Sequence, residues 1–208
     1  MAKPAQRRTQ EERSREMRER LIDAALDCLQ MLGYRQTTVA RVCARAGVSS
    51  GAMLHHFAGK LDLFAAAHDH AFEAIHRRYV EIGRSTPSHE ERWRRIVESF
   101  WNDATQDRYV VAGNELVLAS RSDEALNTRL EATSAMRIGR MRALWKELFA
   151  DAIDPEPHLL VELTLYLVRS LKTVRSGPSA TAWSEEHFAR WMRMVDPLMA
   201  VRSGPAVG

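Results

Sequence analysis

Only two cysteines, Cys28 and Cys43, occur in 208 residues. Both fall on apolar helix positions, which leaves no disulfide framework and makes them reduced core thiols. No apolar run approaches the ~20 residues that a membrane-spanning helix needs. The opening MAKPAQRRTQEER is basic, but no apolar segment follows it, so it does not read as a secretory signal, and a cytoplasmic location is expected. Alternating strand patterns and internal repeats are lacking. So are a Ser-His-Asp spacing, a phosphate loop and a CxxC pair, and an enzyme is not expected. His68 and His70 stand two apart and do not share a helix face. His68, His76 and His89 have no recognisable ligand spacing, so no metal or other cofactor is expected.

What is present is a patterned chain with 45% hydrophobic residues, enough to bury a core in one large domain or two small ones. The net charge of +3 hides an asymmetry. Residues 1–60 hold 11 Lys and Arg against 6 Asp and Glu, a balance of +5, while the remainder is at −2. A basic N-terminal third on a near-neutral body fits a nucleic-acid surface confined to that third, although an ordinary solvated helix face fits as well.

The apolar spacing predicts an all-α chain of about nine helices. Residues 1–8, with Lys3, Arg7 and Arg8, read as a flexible basic arm. Thr9 and Glu12 match a capping box, and a helix follows to Leu32, with Gly33 ending it. Apolar residues at three- and four-residue steps then predict helices over 61–83, 88–104, 107–120, 123–150 (capped by Ser122), 159–175 and 184–201. Asp154-Pro155-Glu156-Pro157 and Ser176-Gly177-Pro178-Ser179 read as breaks, and the tail from Arg202 as frayed.

Between the first two long helices lies TVARVCARAGVSSGAMLHHFAGK, residues 38–60. Thr38 can cap a short helix that ends at Gly47, and Ser49 can cap a second one over 50–57. Helix, glycine turn and helix in about twenty residues is the pattern of a helix-turn-helix, whose second helix enters the DNA major groove. Val42, Ala46, Val48, Met53 and Phe57 are the expected core that fixes the two helices.

The chain resembles the TetR family of bacterial transcriptional regulators. The residues that carry the resemblance run from Leu21-Ile22-Asp23-Ala24-Ala25-Leu26 through Gly33-Tyr34, Thr37-Thr38-Val39 and Ala46-Gly47-Val48-Ser49. They continue with Gly51-Ala52, His55-His56-Phe57 and Lys60-Leu61-Asp62-Leu63-Phe64. Beyond residue 64 only helix number and length match. The resemblance implies an arm over 1–8, a DNA-binding domain over 9–60 and an effector-binding and dimerisation domain over 61–202. Thr38 and Lys60 are expected on phosphates, and Ser49, Ser50, Gly51, Ala52, His55 and His56 on the reading surface, where Ala52 fits a thymine methyl. So few bidentate readers imply that Arg41, Arg45 and the arm residues Arg7 and Arg8, or DNA shape, add specificity. Leu54 stands where the family usually has a phosphate-binding tyrosine, so only apolar contact is expected there.

The resemblance also implies a homodimer binding a palindromic operator as a repressor, and a small-molecule effector. The apolar faces of the last two helices, with Leu160, Leu163, Leu167, Phe188, Trp191, Met192 and Val195, are the expected dimer contact. Trp93, Phe100, Trp101, Met136, Met141, Trp145 and Tyr166 offer aromatic and soft apolar lining for an effector, and Asn114, Glu115 and Arg137 polar contacts. An effector-independent regulator, or an architectural DNA binder, is the alternative.

Overall fold

A computed structural model describes residues 9–173 and 178–202; the arm over 1–8 lies outside them. The described residues form nine helices: α1 (Gln10–Gln36), α2 (Val39–Ala46), α3 (Ser50–Leu54), α4 (Lys60–Ser85), α5 (His89–Gln106), α6 (Arg108–Ser120), α7 (Glu124–Leu148), α8 (Pro157–Thr173) and α9 (Pro178–Val195). The expected all-α class is what the chain adopts. Among the described residues the nearest approach to a strand is an isolated bridge between Ala152 and Val201. Among the described residues no helix is long and apolar enough to cross a membrane.

Capping chemistry explains several of the helix starts. Thr9 and Glu12 form the capping box: the Glu12 N–H donates to Thr9 Oγ1 at 3.1 Å, and the Thr9 N–H to Glu12 Oε2 at 2.8 Å. Ser88 caps α5. Other boundaries differ from the expected ones. α1 does not stop at Gly33 but kinks there (φ 72°, ψ 172°) and continues to Gln36. Asp123, not Ser122, caps α7, its Oδ1 accepting the Leu126 N–H at 3.0 Å, because a carboxylate is also favoured by the helix dipole. α9 starts at Pro178, six residues before Ser184. The Ser184 hydroxyl instead donates to the Leu171 carbonyl at 2.9 Å. Pro at the first helical position needs no N–H partner. Arg202 itself is held, its N–H donating to Asp151 O and its Nε to Ala152 O; the rest of the tail lies outside the described residues.

The chain divides into two compact units. One comprises Met1–Phe72 and Val111–Thr133, the other Glu73–Val110 and Ser134–Gly208. In the first, α1 packs Leu21, Leu26 and Leu29 beside Val42, Met53, Phe57 and Leu63, all essentially water-free. Cys28 and Cys43 are free and buried. In the second, α5 packs on α8 and α8 on α9. Its core is Tyr79, Ile96, Phe100, Trp145, Phe149 and Val161, with other apolar residues around them.

Candidate nucleic-acid interface

Thr38 sets the start of α2. Its backbone is extended, and its Oγ1 accepts the Arg41 N–H at 3.3 Å. The hydroxyl proton stays available for a phosphate oxygen. α2 ends at Gly47 in the left-handed conformation (φ 65°, ψ 39°) that glycine adopts without strain. There the Gly47 N–H donates to Ala44 O at 3.2 Å and the Val48 N–H to Cys43 O at 3.0 Å. This double closure satisfies two carbonyls of the helix end and turns the chain sharply. Ser49 then starts α3, its Oγ accepting the Ala52 N–H at 3.1 Å. α3 is shorter than expected, ending at Leu54 rather than Phe57. Val42, Ala46, Met53 and Phe57 are buried and Val48 half-buried, so helix–turn–helix geometry rests on an apolar base.

Two arginines of α1 lock this base from outside. Arg20 Nη2 donates to the Ala46 carbonyl at 2.8 Å, where α2 leaves its last carbonyls free. Arg18 Nη1 donates to the His56 carbonyl at 2.9 Å, with its guanidinium 4.2 Å over the Phe57 ring. Sequence reasoning missed both, because a carbonyl target leaves no mark of its own; the one signal was two basic residues on the polar face of α1.

Thr38, Arg41, Ser49, Ser50, Gly51, Leu54 and His55 are exposed, and Ala52, His56 and Lys60 half-buried. Leu54 is 58% exposed, an unusual setting for a leucine. Arg41 Nη1 donates to the Gln36 carbonyl, while Arg45 is held by Asp27 at 2.7 Å. Lys60 opens α4, but its ammonium sits 4.5 Å from the Tyr34 ring centre and 5.1 Å from that of Phe64. Burial lowers its pKa, opposed by the charge of Asp123.

Glu115, expected as an effector contact, lies in the first unit and has another occupation. The kink at Gly33 takes the Tyr34 N–H out of the helical ladder, and that N–H donates to Glu115 Oε2 at 3.1 Å. The Tyr34 hydroxyl donates to Asp123 Oδ2 at 2.5 Å. Burial and this bond push the phenol pKa up to about 12, and the same bond holds the Asp123 carboxyl below its ordinary value. Asn114 lies in the first unit too, buried.

The other expected effector residues belong to the second unit. Phe100, Trp93 and Trp145 are in its core, with Met141 packed against it. Trp101 stacks on Phe188 at 4.3 Å, with the Lys172 ammonium 3.7 Å over its ring. Arg137 is buried, whereas Met136 and Tyr166 are largely exposed. A cavity of about 520 Å³ opens among His76, Val80, Arg84, Arg92 and Leu148, and one of about 350 Å³ among Trp93, Val97, Phe188 and Met192. Of the expected dimer residues, Leu163 is 52% exposed; Leu160, Leu167, Phe188, Trp191 and Met192 are half-buried. Val195 is a correction: at 2% exposed it closes the monomer's own core. The exposed apolar residues of these helices are Leu159, Leu163 and Tyr166 on α8, and Trp183, Met194 and Leu198 on and just after α9. Leu159 belongs to the apolar stretch expected at the dimer contact, but Trp183 and Met194 were not singled out in sequence, because an apolar helix shows which residues avoid water but not which neighbour covers them.

Residues 21–67 match the family model described as bacterial regulatory proteins, tetR family. The chain is 33% identical over 131 residues to the HTH-type transcriptional regulator CymR of Pseudomonas putida, covering 61% of this chain and 62% of that protein. It therefore spans about three-fifths of the length of the curated relatives it matches. A transcriptional regulator from Rhodococcus sp. Rha1 has the same fold at a TM-score of 0.68 and 21% identity, covering 89% of this chain and 99% of that one. The multidrug binding protein EbrR, solved with imidazole, matches at a TM-score of 0.57 and 21% identity, covering 92% and 98%. The N-terminal helix-turn-helix segment, residues 21–67, is thus that of the tetR family of bacterial regulatory proteins.

Proposed function

We propose that this chain is a ligand-responsive transcriptional repressor that binds a palindromic operator as a homodimer. The observation that carries the reading is the capped pair α2 and α3, with Ser50, Gly51, Leu54 and His55 turned outwards on a rigid base. Small residues at positions 50–52 let backbone approach base edges, and Thr38 offers a phosphate its hydroxyl at a helix start. The exposed apolar stripes of α8 and α9 support association of two copies, since such stripes are seldom left to water. Two recognition helices about 34–36 Å apart would then read successive major grooves. A small molecule in the second unit would favour a dimer whose helices no longer match that spacing, and its differential affinity for the two states releases the DNA. EbrR, described as a multidrug binding protein, supports the small-molecule part.

The test is footprinting of the DNA upstream of the chain's own gene, with the solution mass measured at micromolar concentration. One protected palindrome and a dimer mass are expected. Sequence-indifferent, steeply salt-dependent coating would point to an architectural role instead, and a monomer without a DNA shift would remove the reading. On that operator Leu54→Tyr is expected to keep or tighten binding, because it adds a hydroxyl at an exposed position beside the reading surface; a clear loss of affinity counts against this placement of α3.

A further inference from the structure

The hydrogen bonds at the end of α1 converge on Tyr34. Its N–H, released by the kink at Gly33, donates to Glu115 Oε2 of α6 at 3.1 Å, and its hydroxyl donates to Asp123 Oδ2 at 2.5 Å. The other Asp123 oxygen accepts the Leu126 N–H, so this carboxylate is fixed to the start of α7 while it holds the phenol. Two carboxylates of the first unit, 81 and 89 positions further along the chain, thus grip one residue of α1.

From Tyr34 that grip reaches both ends of the helix-turn-helix. At the entry, the Tyr34 carbonyl accepts the Thr37 N–H at 3.2 Å, and the Gly33 carbonyl accepts the Thr37 hydroxyl at 2.8 Å. Thr37 is 0% exposed, and the next residue is Thr38, the cap of α2. Arg41 of α2 ties back, its Nη1 donating to the Gln36 carbonyl at 2.8 Å. At the exit, the Tyr34 ring meets Phe64 edge-on at 5.7 Å and lies 4.5 Å from the ammonium of Lys60, the first residue of α4. The segments that enter and leave the motif therefore rest on one side chain.

Apolar burial holds α2 and α3 on α1 but has no direction of its own. Hydrogen bonds do have one, and they weaken steeply when their angles are lost. We infer that Glu115 and Asp123 are positioning residues for DNA recognition, acting through Tyr34 to fix the angle at which α2 and α3 are presented. This rests on the reading of DNA through α3, and it needs no effector, dimer or palindrome.

The experiment uses the full chain and the duplex that it enriches from a random pool. Affinity for that duplex and for a scrambled one is measured by fluorescence anisotropy well below the melting temperature. Titration at concentrations far above Kd counts the active fraction. Tyr34→Phe keeps the ring and removes only the hydroxyl that Asp123 holds; Glu115→Ala removes the acceptor of the N–H. Each should lower the ratio of specific to scrambled affinity at least fivefold, with a full active fraction and a scrambled affinity within twofold of the parent's. Glu115→Gln keeps an oxygen acceptor and should lose less than Glu115→Ala. Glu162→Ala, which removes an exposed partner in the second unit, should leave the ratio as it is. Hydrogen exchange over residues 36–47 should quicken in Tyr34→Phe and Glu115→Ala alone. A ratio that survives both substitutions, or a loss seen only as a smaller active fraction or equally in both affinities, would overturn the proposal and leave the DNA-reading role in place. A parent chain that enriches no duplex would overturn that role, and the proposal with it.

Discussion

The two units use their polar side chains differently. In the first, most of them address backbone groups: Thr9, Thr38 and Ser49 accept from helix starts, Arg18 and Arg20 donate to carbonyls, and Glu115 accepts from the Tyr34 N–H. Among the described residues of the second, bonds between side chains take a larger share beside the backbone-directed ones, as in Arg78 with Asp103 and Asp107, Arg142 with Glu162, or Trp93 with Asp196. Bonds to backbone fix the direction in which a helix leaves a turn, which a groove-reading surface needs. Bonds between side chains fix neighbours within a bundle and can be exchanged when a ligand enters. A rigid reader and an adaptable body are the two demands of a regulator, and the pattern of bonds follows that division.

The largest expected effect lies in the apolar base of the reader. Phe57 is 1% exposed and carries the Arg18 guanidinium on its ring. Phe57→Ala leaves a cavity that costs about 3–5 kcal/mol. Operator binding should vanish in a gel shift, and thermal unfolding should begin far earlier. An unchanged unfolding curve would remove Phe57 from the base that positions α3.

Next comes Gly33. Its φ of 72° with ψ of 172° is a region nearly restricted to glycine, and an added Cβ would lie 3.1 Å from Glu115 Oε2. Gly33→Ala should cost about 1–3 kcal/mol through strain alone. Glu115 can swing aside, but then the Tyr34 N–H loses its acceptor. Chemical denaturation checks the cost, and an unaffected midpoint would mean that α1 straightens freely through this position.

How much was legible follows the same division. Capping residues act on N–H groups two or three positions away, so Thr9, Thr38 and Ser49 announced their helices in sequence, as Gly47 announced its turn. The matched stretch around the helix-turn-helix is therefore readable almost residue by residue. Glu115 contacts Tyr34 across 81 positions and Trp93 contacts Asp196 across 103. Nothing in local spacing marks such partners, so Glu115 read as a ligand contact. Periodicity likewise showed Val195 to be apolar but not whether its own core or a second copy covers it. For the same reason the effector-site expectations mixed Trp145, in the core, with Tyr166, at 59% exposure.

A paired substitution sharpens the comparison directly. Glu115→Ala removes the acceptor of a backbone N–H that is partly buried, and should cost about 1–3 kcal/mol. Glu162→Ala removes the partner of an exposed arginine, Arg142, a pair worth about 0–1 kcal/mol in water. Denaturation midpoints measured side by side should rank Glu115 well above Glu162. Equal costs would mean that the backbone-directed bonds of the first unit carry no special weight.

The smallest effect is one of pH and belongs to the second unit. Burial lowers the pKa of His76, with the Arg140 charge adding to the fall and Glu73 opposing it; burial also lowers His89, opposed by the imidazole's interaction with the Met199 backbone, which favours the protonated form. A folded-state value below the unfolded 6.5 means that the unfolded chain takes up protons first. Stability from these groups is therefore complete well above 6.5 and declines as pH falls through and below that value. The melting temperature should drop on acidification by about 2–4 °C for each kcal/mol lost. His76→Gln and His89→Gln should each flatten the decline. A melting temperature that rises on acidification would contradict this sign, and a double variant with the parent's slope would show that other groups, such as the Asp123 and Glu73 carboxylates with their lowered pKa values, govern the acid response.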